Sequence, residues 1–256
     1  MTDRRDFIRI AAGTAGALGL FRSGLGAATR GPAPKTLDIL ILGGTGFIGP
    51  HQVNAALERG HNVTIFNRGR RAGMYGGQVE ELIGNRDPDV DDGLSALEGD
   101  RQWDVVIDNS GYVPRHVRAS AELLKGRCRR YLYISTVAVY DFDSAVDDFA
   151  EEGPLAPLAD KSVEEVTGET YGPLKAECDR IVRDVLGAAA TVVRPAYILG
   201  PGDTTDRFTY WVERINKGGD VLGPSQRDLH VQGVDVRDLT NFVMQAVEND
   251  IEGSFN

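Results

Sequence analysis

The 256-residue sequence predicts an α/β fold, a doubly wound parallel sheet with helices on both faces. Three observations carry that expectation. Short, almost wholly apolar runs recur along the chain, as strands buried on both faces require. Stretches with helical apolar spacing fall between them. The first apolar run ends in a glycine-rich turn that opens a helix.

The elements follow in order. Residues 37–42 (LDILIL) form a first strand, and residues 47–59 a helix with Phe47, Val53, Ala56 and Leu57 on one side. Residues 62–66 (NVTIF) read as a second strand and 78–83 as a weak third. Residues 104–107 (DVVI), 131–135 (YLYIS) and 191–194 (TVVR) give the fourth, fifth and sixth. Helices are expected over 115–125 and 171–186. Strands alternating with helices pair in parallel through right-handed crossovers. Residues 141–170 are acidic and rich in Pro and Gly, the composition of a long surface loop near the site.

Residues 1–30 stand apart. Arg4 and Arg5 are paired, Phe7 follows, and a weakly apolar run leads to small residues around Ala28. The run from Ile10 to Phe21 would be about 18 Å long as a helix, too short to span a bilayer. The segment resembles a twin-arginine (Tat) signal peptide. It implies passage through the Tat translocase to the periplasm, no stable membrane insertion, and a cytoplasmic protein if the leader does not function.

Composition bounds the partners. The net charge is −10, and the first 28 residues hold four arginines and two aspartates, so the body is more acidic still. Such a body has no electrostatic footprint for nucleic acid. Cys128 and Cys178 cannot form a disulfide framework, and Cys178 reads as a buried inert thiol. His51, His61, His116 and His230 are scattered, so no metal is expected.

The turn Gly43-Gly44-Thr45-Gly46-Phe47-Ile48-Gly49 lies between the first strand and the first helix. Gly43 permits a tight turn, Gly46 lets a pyrophosphate approach the backbone, and Gly49 lets helix and strand pack closely. This is the arrangement of a Rossmann fold, and Gly43, Thr45, Gly46, Phe47, Ile48 and Gly49 are candidate dinucleotide ligands. The second strand ends in Asn67-Arg68-Gly69-Arg70-Arg71, without the acid that holds ribose hydroxyls. Arg68 and Arg70 offer charge-assisted bonds to a 2′-phosphate, which favours NADP and leaves NAD open.

Tyr171-Gly172-Pro173-Leu174-Lys175 places tyrosine and lysine four residues apart, on one helical face. Pro173 is tolerated in a first turn, so Tyr171 should start the helix, with Thr170 as its cap. A neighbouring ammonium and a helix N-terminus would bring the phenol closer to neutrality. It would then serve as acid and base for a carbonyl–alcohol pair.

These motifs, with Ser135-Thr136-Val137-Ala138-Val139-Tyr140, Arg194-Pro195 and Gly200-Pro201-Gly202-Asp203, occur in an order that resembles the extended short-chain dehydrogenase/reductases, the NAD-dependent epimerase/dehydratase family. The likeness runs from about Leu37 to Asn256. It implies an NAD(P)-dependent oxidoreductase, epimerase or dehydratase acting on a small, sugar-like substrate by hydride transfer, and family members often pair as homodimers. Thr136 would hydrogen-bond the substrate oxygen with Ser135 behind it, Tyr171 would be the acid/base, and Lys175 would bind the nicotinamide ribose and tune the phenol. The nicotinamide would lie beside Asn109 and Ser110. The family's substrate-lobe segments would begin at about residue 197.

Three departures accompany the likeness. Ser110-Gly111-Tyr112 replaces an H-x-A-A-like stretch, and Asn85, with Asp87 near, stands where an acid often contacts adenine. Both speak against a UDP-sugar. The sequence stops at Gly253-Ser254-Phe255-Asn256, where family members continue, which suggests a truncated substrate lobe. A different class stays open: a non-catalytic NAD(P)-binding sensor, or an atypical relative associated with RNA.

Overall fold

The computed structural model describes residues 33, 35–142, 150–223, 225 and 231–256. The expected signal peptide and His230 lie outside the described residues.

Seven strands form one sheet: β1 (Asp38–Leu42), β2 (Asn62–Asn67), β3 (Glu80–Ile83), β4 (Trp103–Asp108), β5 (Cys128–Ile134), β6 (Ala190–Val193) and β9 (Gly253–Phe255). Their spatial order is β3-β2-β1-β4-β5-β6-β9, and every neighbouring pair is parallel. This is the doubly wound sheet that the sequence predicts. Strand order reverses between β1 and β4, so the crevice beyond their carboxyl ends is the place for a ligand.

Alternation along β1 shows why the run had to be apolar throughout. Ile39 and Ile41 pack with Val53 and Ala56 of α1 (Gly49–Glu58). Leu40 and Leu42 face the other way, into a cluster with Val117 and Leu124 of α2 (Pro114–Leu124) and Ile181 and Val182 of α3 (Tyr171–Leu186). All four strand residues are fully buried, each side chain contributing roughly 1.5–3 kcal/mol of hydrophobic stabilisation.

Two elements of this sheet have no counterpart in the sequence reading. Helix α5 (Val236–Glu248) sends Leu239, Val243, Met244 and Val247 into the cluster that covers α1, and β9 adds the edge beside β6. The chain therefore leaves the main sheet after β6 and returns to it. Between lie β7 (Tyr197–Leu199), paired in parallel with β8 (Gly233–Asp235), and α4 (Thr209–Asn216), none of whose residues is buried. Strand β5 also starts earlier than its apolar run, because Arg130 is buried by pairing with Asp250 and the carbonyl of Ala188. No helix among the described residues is long and apolar enough to cross a membrane.

Candidate active site

The turn from β1 to α1 is built on three glycines with different reasons to be there. Gly43 has φ +91°, which side-chain-bearing residues rarely adopt. A Cβ on Gly49 would lie 2.4 Å from the carbonyl carbon of Gly44, so helix and turn touch backbone to backbone. A Cβ on Gly46 would meet nothing within 4 Å. Helix α1 starts without a side-chain cap, leaving its N-terminal amides available to an anion.

This turn forms one wall of a cleft of about 720 Å3. Of the residues singled out from sequence, Gly43, Thr45, Gly46, Phe47, Ile48, Asn67, Arg68, Asn109, Ser110, Tyr171 and Lys175 line it. Gly49 does not; it packs beneath the turn. Thr136 lies outside the lining, yet its hydroxyl acts to lower the Tyr171 pKa, while its Oγ1 accepts from the amide of Ala138. Ser135 does line the cleft. Arg68 and Arg70 reach the rim as exposed side chains, and Arg71 donates to the carbonyl of Thr45.

Helix α3 begins at Tyr171, as Pro173 requires, and Gly172 lets it approach the carbonyl of Ala138: a Cβ there would sit 2.3 Å from that oxygen. Thr170 is the first residue outside the helix but does not cap it. Its hydroxyl donates to the carbonyl of Glu165 and accepts from the amide of Thr167.

The electrostatics differ from the expectation of a phenol drawn towards neutrality. Burial raises the pKa of Tyr171 above the usual tyrosine value, against the downward pull of the Thr136 hydrogen bond and nearby Arg207. Lys175 points elsewhere. Its ammonium donates to the carbonyls of Gly111 and Ile134, both at 2.8 Å, and lies 4.2 Å from the centre of the Tyr133 ring. Burial lowers its pKa to about 8. Tyr171 is thus a protonated acid at neutral pH, with Tyr112 tilted against it at 6.4 Å between ring centres.

Several cleft residues hold buried polar atoms with no protein partner: Asn67 Nδ2, Arg86 Nε and Nη1, Asn109 Oδ1, Ser110 Oγ and Ser135 Oγ. They are spread from the end of β2 to the end of β5. Buried polar groups are normally satisfied, so this row calls for a long polar ligand.

A model of the NAD dependent epimerase/dehydratase family matches residues 39–256. The chain belongs to that family. Among solved structures, the family fold recurs in the Bordetella bronchiseptica enzyme WbmG in complex with NAD and UDP, with a TM-score of 0.66 and 17% identity over 87% of this chain and 72% of that one. It recurs in dTDP-glucose 4,6-dehydratase from Bacillus anthracis in complex with NAD, with a TM-score of 0.64 and 18% identity over 86% and 74%. A curated relative, the chloroplast stem-loop binding protein of 41 kDa b of Arabidopsis thaliana, is 28% identical over 234 residues, 85% of this chain. The chain spans 57% of that relative's length.

Within the family fold, sequence reasoning missed Arg86, which follows β3 and pairs with Asp108 at the end of β4. Arg207 and Tyr112 also stand on the cleft wall. Neither belongs to a contiguous motif. Both cysteines are free, and burial pushes the Cys178 thiol up to about 12, as suits a structural side chain. Among the described residues no three His, Cys, Asp or Glu side chains converge as a metal site would need.

Proposed function

We propose that the protein is an NAD(P)-dependent enzyme that moves hydride to or from a carbon bearing oxygen, in a small, sugar-like substrate, as a reductase, epimerase or dehydratase. The observation that carries this is the row of unpartnered polar atoms that leads from Asn67 to Ser135 and ends beside Tyr171. A dinucleotide fits that row. The uncapped start of α1 and the open side of Gly46 would face its pyrophosphate, Asn67 and Arg68 its adenosine ribose, and Asn109, Ser110 and Lys175 its nicotinamide half. The bound cofactor would supply or accept the hydride.

The chain's own groups would handle the proton. Tyr171, protonated at neutral pH, would donate from its hydroxyl to a substrate carbonyl, and Thr136 would hold that hydroxyl. Lys175 has three N–H donors and gives two to backbone carbonyls, which leaves one for a ribose hydroxyl. Tyr171→Phe tests this. The variant should bind reduced dinucleotide as the native protein does and lose about 100-fold or more in turnover. Native-like turnover by the variant would overturn the catalytic reading, as would a native protein that binds no dinucleotide.

The name of the curated relative favours a second reading, a nucleotide-binding protein associated with RNA. The acidic body and the Tyr171–Lys175 pair weigh against it. At the second-strand end, Arg68 and Arg70 support NADP over NAD. Export through the Tat system is supported by Arg4 and Arg5. Replacing both with lysine should keep the protein in the cytoplasm.

A further inference from the structure

Arg86 sits in the cleft wall with one guanidinium nitrogen engaged and two idle. Its Nη2 donates to Asp108 Oδ2 at 2.9 Å, and that oxygen also accepts from the Tyr131 hydroxyl at 2.7 Å. The other carboxylate oxygen accepts from the Ser110 amide. Asp108 and Tyr131 are wholly buried, so the guanidinium is clamped from behind. Its Nε and Nη1 are buried and lack an aligned hydrogen-bond partner, although the Tyr131 oxygen lies near the guanidinium. A guanidinium donates only, so whatever meets these two groups must present acceptor atoms.

The carboxylate and carboxamide that follow β3 are already committed. Asp87 has about four acceptor positions. Its Oδ1 takes Arg115 Nη1 and the Asp89 amide, and its Oδ2 takes Arg115 Nη2 and faces His116 Nε2 at 3.3 Å. Asn85 turns its Oδ1 to the Asp87 amide and its Nδ2 to Asp91. This end of the cleft lies on the β2–β3 side, where a dinucleotide bound across the sheet would carry its purine. A purine there meets donors, and the carboxylate that could accept from an exocyclic amino group is spent.

We infer that Arg86, held by Asp108 and Tyr131, reads the base of the dinucleotide through acceptor atoms, so that the purine end selects for acceptors instead of for the adenine amino group. The inference rests on the dinucleotide reading of the cleft. It makes a chemical distinction between two bases. Adenine places an amino donor next to N7, whereas hypoxanthine places O6 next to N7, the acceptor pair that arginine grips in two-pronged fashion on guanine.

The test is a fluorescence titration of the full-length protein with reduced nicotinamide adenine dinucleotide and with its hypoxanthine counterpart, in the 2′-phosphorylated and unphosphorylated series. The hypoxanthine form should bind at least as tightly as the adenine form. Arg86→Lys keeps a cation beside Asp108 but removes the fork, and should weaken the hypoxanthine form by about fivefold to tenfold. The double variant Arg86→Met with Asp108→Asn removes both charges while keeping an acceptor for Tyr131, and should show the same loss if the single variant proves unstable. An adenine form preferred tenfold by the native protein would overturn the inference, as would a ratio unmoved by either substitution, with the dinucleotide reading intact. Failure of every dinucleotide to bind the folded native protein would remove both.

Discussion

Lys175 carries a buried ammonium in the cleft wall, where burial holds its pKa at about 8 against 10.5 for an unperturbed lysine. The sign of the consequence follows from proton counting. Between those two values the unfolded chain binds more protons at this site than the folded one, so stability rises with pH across the window. Below pH 8 both states are charged, and the folded state bears the whole cost of the buried cation, on the order of 3 kcal/mol. Two carbonyls and the face of Tyr133 offset part of it. Lys175→Met should therefore lose activity and lose this pH dependence together. Urea denaturation of the native protein and the variant at several pH values between 7 and 10.5 measures it. The stability difference should move in favour of the native protein as pH rises. A difference that stays flat would mean that the lysine is not carried as a buried cation, and the proposal that it donates to the nicotinamide ribose would need another basis.

At the scale of elements, α3 does more than present Tyr171 and Lys175. Asp179 lies four residues beyond Lys175 on the same face, fully buried, and accepts from Arg194 Nε at 2.9 Å. Arg194 leaves the end of β6 and also donates to the Tyr140 hydroxyl and the Glu151 carbonyl. One buried cation thus ties α3 to the loop that precedes it. Asp179→Ala would leave that cation without its counter-charge at a cost of about 3–5 kcal/mol, visible as a lowered denaturation midpoint. A loss below about 1 kcal/mol would mean that solvent or Glu151 replaces the carboxylate. The same helix shows what the sequence made legible. Its limits, Tyr171 and Leu186, follow from Pro173 at one end and from Gly187, at φ +56°, at the other. Contiguous motifs such as the glycine turn land in the cleft because local geometry alone dictates their shape. The Arg86–Asp108–Tyr131 cluster was not legible, since its members are 22 and 23 residues apart and meet only through strand register. Helix α5 went unread as well, since nothing local says that the face of Leu239, Val243 and Val247 returns to the first sheet. Strands β7, β8 and β9 have three residues each, too few for any periodicity to appear.

At the scale of the whole molecule, charge is distributed against its own sum. The chain carries −10, yet Arg68, Arg70, Arg71, Arg86, Lys175 and Arg207 line one cleft. A cationic cleft in an anionic body focuses small anions inward while the surrounding surface repels a polyanion too large to enter. A nucleic acid helix gains affinity by neutralising many phosphates at once, which needs an extended basic face. A dinucleotide presents only a few phosphates and can be swallowed whole. The two partners should then part company as salt is varied. Dinucleotide affinity should fall by severalfold between about 50 and 200 mM salt, the mark of a few charge contacts screened over a Debye length of roughly 10 Å. A stem-loop RNA should show no binding at about 150 mM salt, where purely electrostatic attachment is already weak. Gel-shift and fluorescence titrations on one preparation make the comparison. Retention of the stem-loop with a steep salt slope, in the same preparation that ignores dinucleotide, would shift the molecule from enzyme to RNA-associated protein and recast the cleft as part of a wider basic path.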